Sequence, residues 1–416
     1  MRNVPSKFYC SRRVALILCC LLFLLASCAD VTGLPLGSTA AKTSPAQHKA
    51  DSDGTATDEK LRAQLTKVEQ IMQGMSLDEK LGQLLLVEFI GSDYANTELP
   101  DMIKQHVGGY LYQYKNSNFA APTNTIDASK QFTVQANSDA KIPLLVAIDQ
   151  EGGQVNKLGD GFYGPAPAAA DMVAQGDPKF ASAQGVQTAQ RMQRLGINVD
   201  LAPVVDVGPV SHLLEDRLFS DDPKTVATYA GAFLDGLQNN TIIGCLKHFP
   251  GLGSLAKGDT NDPHTSLPVV NKSRADLEAT DFAPYKTMIQ QNHPAMIMST
   301  DVITTAIDPN VPAEFSPKTI NGVLRKELGY NGVIVTDGLY MDGVKIYVGS
   351  LDIAKPSLLA ILAGNDLVEG PFRARDVAST IQAFKDAILQ GQLTEARVNQ
   401  SVQRILLMKV QYGVIK

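Results

Sequence analysis

Eight short β-rich runs, each followed by a helical stretch, dominate the chain from about residue 58 onward. The runs are Leu84–Phe89, Gly109–Tyr112, Leu144–Ile148, Asn198–Leu201, Ile242–Lys247, Ala295–Met298, Val333–Val335 and Asp366–Val368. Strands that alternate with helices form βαβ units, whose strands lie parallel and need both faces covered. Eight such units in about 350 residues predict a (β/α)8 barrel with loop insertions. An open, doubly wound sheet is the structural alternative, but no glycine-rich nucleotide fingerprint follows the first run. Helices are expected at Lys224–Gln238, Arg274–Gln291 and Thr394–Met408. In the last, Val398, Val402, Ile405 and Leu406 share one face. Ser76-Leu77-Asp78-Glu79 reads as a capping box ahead of an apolar run.

The N-terminus has a different character. Arg2, Lys7, Arg12 and Arg13 form a basic head before a 13-residue apolar run, Val14 to Ala26, which is too short to span a bilayer. Leu25-Ala26-Ser27-Cys28 then resembles the lipobox of bacterial lipoproteins. Residues 1–27 are therefore expected to be an export signal, with Cys28 as the lipid anchor of an extracytoplasmic, membrane-attached protein. Residues 29–57 hold mostly Ala, Thr, Ser, Gly, Pro and Asp, too little apolar surface to order themselves. As a flexible tether (28–57) they would reach about 30 Å. The folded unit is expected over 58–416. Beyond the signal only Cys28 and Cys245 remain, so a large core rather than disulfides must stabilise the fold.

Formal net charge is −6, and four units more negative once the basic head is removed. This argues against nucleic acid as a partner. Nor do the histidines show the spacing of a zinc site, so no metal or other cofactor is expected. The chain contains no tryptophan. Long polysaccharide grooves use aromatic platforms, so this tilts toward a pocket for one terminal unit.

The unusual polar residues fall at the C-terminal ends of the predicted strands or just beyond, where a barrel builds its active site. Asp149 lies in DQEGG after the third strand, Asp206 and Arg217 follow the fourth, and Lys247-His248 close the fifth. Asp262 and His264 occupy the long loop after it, and Asp337 closes the seventh. An Asp-x-His pair can hydrogen-bond within a turn, which orients the ring and raises its proton affinity for acid–base work. The plain alternative is an Asp-Pro turn with a solvated histidine. Asp337 could act as a nucleophile at the mouth or cap the following helix.

The segments LLVAIDQEGGQV, GINVDLAPVVDV, EDRLFSDDP, CLKHFPGLG, GVIVTDGLYM and AILAGNDLV resemble, in order, the motifs of glycoside hydrolase family 3, and most of all its bacterial β-N-acetylglucosaminidase branch. The resemblance implies Asp337 as nucleophile and His264, paired with Asp262, as general acid/base. It implies that Asp149, Arg217, Lys247 and His248 grip the hydroxyls of a terminal β-linked N-acetylglucosamine. It further implies a retaining, exo-acting hydrolase of cell-wall or chitin-derived sugars with a small saccharide as partner. Leu252, Gln154, Asp301 and Pro263 depart from the family pattern, which leaves the outer sugar contacts and the shape of the loop open. Two other readings stand beside this one. A phosphorylase of the same family would use phosphate as acceptor, because an imidazole base does not repel it. A catalytically silent glycan-binding lipoprotein would retain the pocket without turnover. The oligomeric state is not legible.

Overall fold

The computed structural model describes residues 45–416 apart from residue 259, with side chains from residue 58 on except those of 114 and 160. The expected signal and Cys28 lie outside the described residues. Contacts divide the chain between Thr55 and Ala56. Of the first part only helical backbone from Pro45 is described, as the beginning of the helix Pro45–Gln73. The end of the segment expected to be a coil is thus helical, continuous with the helix-favouring run DEKLRAQL.

In the second part eight parallel strands close a barrel. They are β1 (Leu85–Glu88), β2 (Gly109–Tyr112), β3 (Leu145–Ile148), β4 (Val199–Asp200), β5 (Ile243–Phe249), β6 (Met296–Ser299), β7 (Val333–Gly338) and β8 (Leu367–Glu369). Each pairs with its sequence neighbours, and β8 returns to β1 through Leu85↔Val368 and Leu86↔Glu369. All eight predicted strands are present, shifted by at most a residue or two at most ends. The β5 register shifts between Leu246 and Phe249 against β6, and that of β7 between Val335 and Gly338 against β8. These irregularities fall at the strand ends that carry Lys247-His248 and Asp337.

Apolar burial fixes the arrangement. Val146, Ile243, Ile297, Ile334 and Val368 are fully buried, and a Leu, Ile or Val buried from water contributes about 1.5–3 kcal/mol. Outside the barrel, Val398, Val402, Ile405 and Leu406 form the buried face of Glu395–Gln411, as their spacing predicts. The Ser76 capping box is formed reciprocally, Glu79 N–H donating to Ser76 Oγ and Ser76 N–H to Glu79 Oε2. One expected helix is divided: Arg274–Gln291 is Arg274–Ala279 and Phe282–Gln291. Pro284 has no N–H to offer the carbonyl of Thr280, and Asp281 instead turns inward, fully buried, to pair with Lys272.

Candidate active site

The C-terminal ends of the strands open into a cavity of about 490 Å³, lined among others by Asp149, Arg217, Lys247, His248, His264 and Asp337. A smaller adjoining cavity of about 200 Å³ shares Arg217, His248, His264 and Asp337 and adds Asp262 and Pro263. Seven of the eight residues marked out by sequence at the strand ends therefore meet at one place, and the eighth, Asp206, lines neither cavity.

One wall is an ion network. Directly after β3 the chain makes a short hairpin, Gln150–Gly152 against Val155–Asn156. Gly152 and Gly153 turn it at φ +94° and +55°, and a Cβ on Gly152 would lie 2.0 Å from the Pro167 carbonyl oxygen. Only glycine allows that backbone and that approach. The hairpin presents Asp149 and Glu151 to Lys247, whose ammonium lies 2.8 Å from Asp149 Oδ1 and 2.7 Å from Glu151 Oε1. Arg217 grips Glu151 with two nitrogens, at 2.8 and 2.9 Å. Lys157 takes the other Asp149 oxygen at 2.6 Å and also reaches Gln113.

Burial opposes charge on Asp149, Glu151, Arg217 and Lys247, and pairing overcomes it. Burial alone would raise the carboxyls, but Arg217 and Lys247 hold Glu151 at about 2. Lys157 and Lys247 hold Asp149 well below the usual carboxylate range in the same way. Asp149 and Glu151 in turn keep Lys247 charged. The result is a wall of fixed donors and acceptors suited to sugar hydroxyls.

His248 is set by a residue behind it. Asp206, buried, accepts from the His248 backbone N–H and from its Nδ1, at 3.1 and 2.7 Å, and its other oxygen accepts from Leu252 N–H. Nδ1–H is thereby committed, and Nε2 is left beside Arg217 at 3.4 Å. The departures at 252 and 154 are accommodated locally. Leu252 packs inward and offers its N–H to Asp206, while the Gln154 amide donates to Asp216 and the Leu214 carbonyl.

Asp337 and the Asp262–His264 pair complete the lining of these cavities. The helix after β7 starts only at Asp342, with Met341 as its N-cap, so Asp337 is not a helix cap. Its Oδ2 accepts from Thr300 Oγ1 at 2.8 Å and its Oδ1 from the Gly338 N–H at 2.9 Å. Asp262 does start a turn, its carbonyl accepting from the backbone N–H groups of Thr265 and Ser266. It also bonds the His264 N–H and Nδ1, at 2.9 and 2.8 Å, so the turn builds the pair rather than replacing it. The Pro263 carbonyl accepts from Gly343 N–H, which docks the loop on the segment after β7.

Sequence reasoning passed over several lining residues. Glu151 stood in DQEGG beside Asp149, and its strand-end position was a usable signal. Glu88 and Glu369, at the ends of β1 and β8, line the cavity as buried carboxyls; burial pushes Glu88 up to about 7 and Glu369 well above its usual range. The alternation of these strands was read, but not their terminal carboxylates.

Glu151 offers a direct test of the wall. Its carboxyl is depressed on folding, so its contribution to stability is present above the unfolded value near 4.5 and is lost as pH falls toward about 2. Glu151→Gln should cost about 3 kcal/mol at neutral pH, with the gap to wild type closing toward about pH 3. Urea unfolding at the two pH values reads this directly, and a gap independent of pH would exclude the ion-paired state.

Comparison with known proteins agrees with the geometry. Residues 76–408 match the family described as "Glycosyl hydrolase family 3 N terminal domain". A protein named "Beta-hexosaminidase A" from Pseudoalteromonas piscicida is 31% identical over 75% of this chain, and the chain spans only 55% of that relative's length. A "Beta-hexosaminidase" from Nitrosomonas eutropha is 30% identical over 77% of this chain and 90% of its own. Among solved structures, a glycoside hydrolase family 3 β-N-acetylglucosaminidase from Paenibacillus sp. str. FPU-7 superposes with a TM-score of 0.75 at 29% identity, covering 82% of this chain and 64% of that one. A closed eight-stranded barrel, a mouth built from the family's motifs and a match over most of the chain place this protein in glycoside hydrolase family 3.

Proposed function

We propose that the chain is a retaining, exo-acting β-N-acetylglucosaminidase that removes terminal β-linked N-acetylglucosamine from cell-wall or chitin-derived sugars. The observation that carries the reading is that Asp337 and the Asp262-held His264 line the same cavity as the hydroxyl-binding wall. The names of the relatives supply the sugar class, β-hexosaminides.

The chemistry follows from which atoms remain free. Asp262 accepts from His264 Nδ1, so Nε2 is the nitrogen available to the reacting oxygen. In the first step an Asp337 oxygen attacks the anomeric carbon as the glycosidic bond breaks, and His264 Nε2–H protonates the departing oxygen. The neutral imidazole then takes a proton from water. That water displaces the Asp337 carboxylate and releases the sugar with its original anomeric configuration. The Asp149–Lys247–Glu151–Arg217 wall would hold the terminal sugar in place for both steps.

Asp337→Asn should lower kcat by several orders of magnitude while leaving the circular dichroism spectrum and unfolding midpoint near wild type. An aryl β-N-acetylglucosaminide provides the assay, and turnover near the wild-type rate would remove Asp337 from the mechanism.

His264→Ala should separate substrates by leaving group. A disaccharide needs its departing oxygen protonated, whereas nitrophenolate does not, so the loss on the disaccharide should exceed that on the aryl glycoside by roughly tenfold or more. Equal losses, with an unchanged pH profile, would assign the acid elsewhere. Running the same reactions in phosphate identifies the acceptor, since sugar 1-phosphate would mark a phosphorylase.

We further propose that Cys28 carries a lipid anchor, on the strength of the Leu25-Ala26-Ser27-Cys28 sequence after a short apolar run. Cys28→Ser should move the protein from the membrane pellet to the soluble fraction when expressed with its own N-terminus. Membrane retention equal to wild type, with normal processing, would refute the anchor.

A further inference from the structure

Behind the proposed nucleophile lies a buried cluster of carboxyls that the reaction described above does not use. Thr300, Asp301 and Glu314 are all fully buried. Thr300 Oγ1 makes the 2.8 Å bond to Asp337 Oδ2, and Asp301 Oδ1 lies 3.5 Å from that same hydroxyl. Asp301 Oδ2 and both carboxyl oxygens of Glu314 have no hydrogen-bond partner among the described residues. Space around Asp301 is tightly defined: a Cβ on Gly343 would come within 2.0 Å of Asp301 Oδ2 and 2.6 Å of the Ser266 carbonyl oxygen. Gly343 is also the residue whose N–H holds the His264 loop at Pro263. Asp301 thus sits where β6, the nucleophile and the acid/base loop converge.

A threonine hydroxyl has one proton, and two carboxyl groups here lie within reach of it. The charged groups that face Asp301 are Asp337 from β7, Asp262 from the long loop and Glu314 from the turn Ala313–Phe315, and all are acidic. A second carboxylate beside Asp337 would compete for the Thr300 proton and repel the nucleophile, weakly screened at this buried position. A carboxylic acid would do the reverse: its O–H can donate to Thr300 Oγ1 and leave the threonine proton directed at Asp337. Burial and the neighbouring carboxylates both raise Asp301 well above its usual range, which agrees with the uncharged form.

We infer that Asp301, as an uncharged acid, is a positioning residue that acts through Thr300 to orient the nucleophile Asp337. Ionisation of Asp301 then switches the hydroxyl away from Asp337, so the first step slows as pH rises through the Asp301 titration. Asn, which cannot ionise and still offers an N–H to Thr300, reproduces the active state.

This rests on Asp337 being the nucleophile, and the experiment separates the two claims. An activated fluoro-sugar that traps the glycosyl-enzyme is used as the probe, because its fluoride leaves with little help from His264. Mass spectrometry locates the label, and the labelling rate is followed from about pH 5 to about pH 9.5 in wild type, Asp301→Asn, Thr300→Val and Thr300→Ser. Asp301→Asn should label within about threefold of wild type at the acid end and hold that rate at the alkaline end, where wild type falls roughly fivefold or more. Thr300→Val should lose roughly tenfold at every pH, and Thr300→Ser should stay within about threefold of wild type. Superimposable pH profiles for wild type and Asp301→Asn would overturn the inference while leaving a labelled Asp337 as nucleophile. So would a Thr300→Val enzyme that labels as fast as wild type, a test that stands even if the Asp301 variant does not fold. A label on a residue other than Asp337 would overturn the nucleophile assignment and the inference with it.

Discussion

The ammonium of Lys247, buried at the end of β5 and shared between Asp149 and Glu151, is the interaction on which the mouth of this barrel depends. A charge taken out of water is tolerated only when its partners are placed to meet it. Here the partners come from the β3 hairpin, and Arg217, from the loop after β4, completes the Glu151 side. Removing Lys247 takes one of two cations from both carboxylates at once, and removing Glu151 leaves Arg217 without its carboxylate in this network. The wall that would bind the sugar is therefore also a clamp joining three successive strand ends, and its rigidity follows from the same ion pairs that make it polar.

The two sides of the cavity handle charge in opposite ways. On the β3–β5 side the two carboxylates of the wall, Asp149 and Glu151, are each paired with cations, and their affinity for protons falls. On the β6–β8–β1 side Asp301, Glu314, Glu369 and Glu88 are buried with carboxyl neighbours, and their affinity for protons rises. Asp337 stands at the edge of this second group, partly open to the cavity. In the proposed reaction positive charge develops at the anomeric carbon, and acids whose affinity for protons is raised place little competing negative charge behind Asp337.

Much of this was legible in the chain. Strand alternation determined the barrel, because eight β-rich runs separated by amphipathic helices have few other ways to bury both faces of a parallel sheet. The strand-end rule then picked out Asp149, Arg217, Lys247, His248, Asp262, His264 and Asp337, which line the two joined cavities, and Asp206, which lines neither but holds His248. The departures from the motif pattern were also visible as departures. Pro284 should have divided the helix drawn through it, since a missing N–H is a local property that needs no tertiary information.

What only the tertiary structure decided is which side chains share a proton or a charge. The sequence offered two roles for Asp337 and two for Asp262, and the folded distances chose: Thr300 and Gly338 hold Asp337 at the mouth, and Asp262 turns the backbone and bonds the His264 ring at once. Glu88, Thr300, Glu314 and Glu369 were unremarkable as letters, because a carboxyl or a hydroxyl acquires its chemistry from neighbours that lie tens or hundreds of residues away. Periodicity is a property of consecutive residues and survives in a one-dimensional string. Ionisation depends on burial and on the nearest charges in space, and those exist only once the barrel has closed.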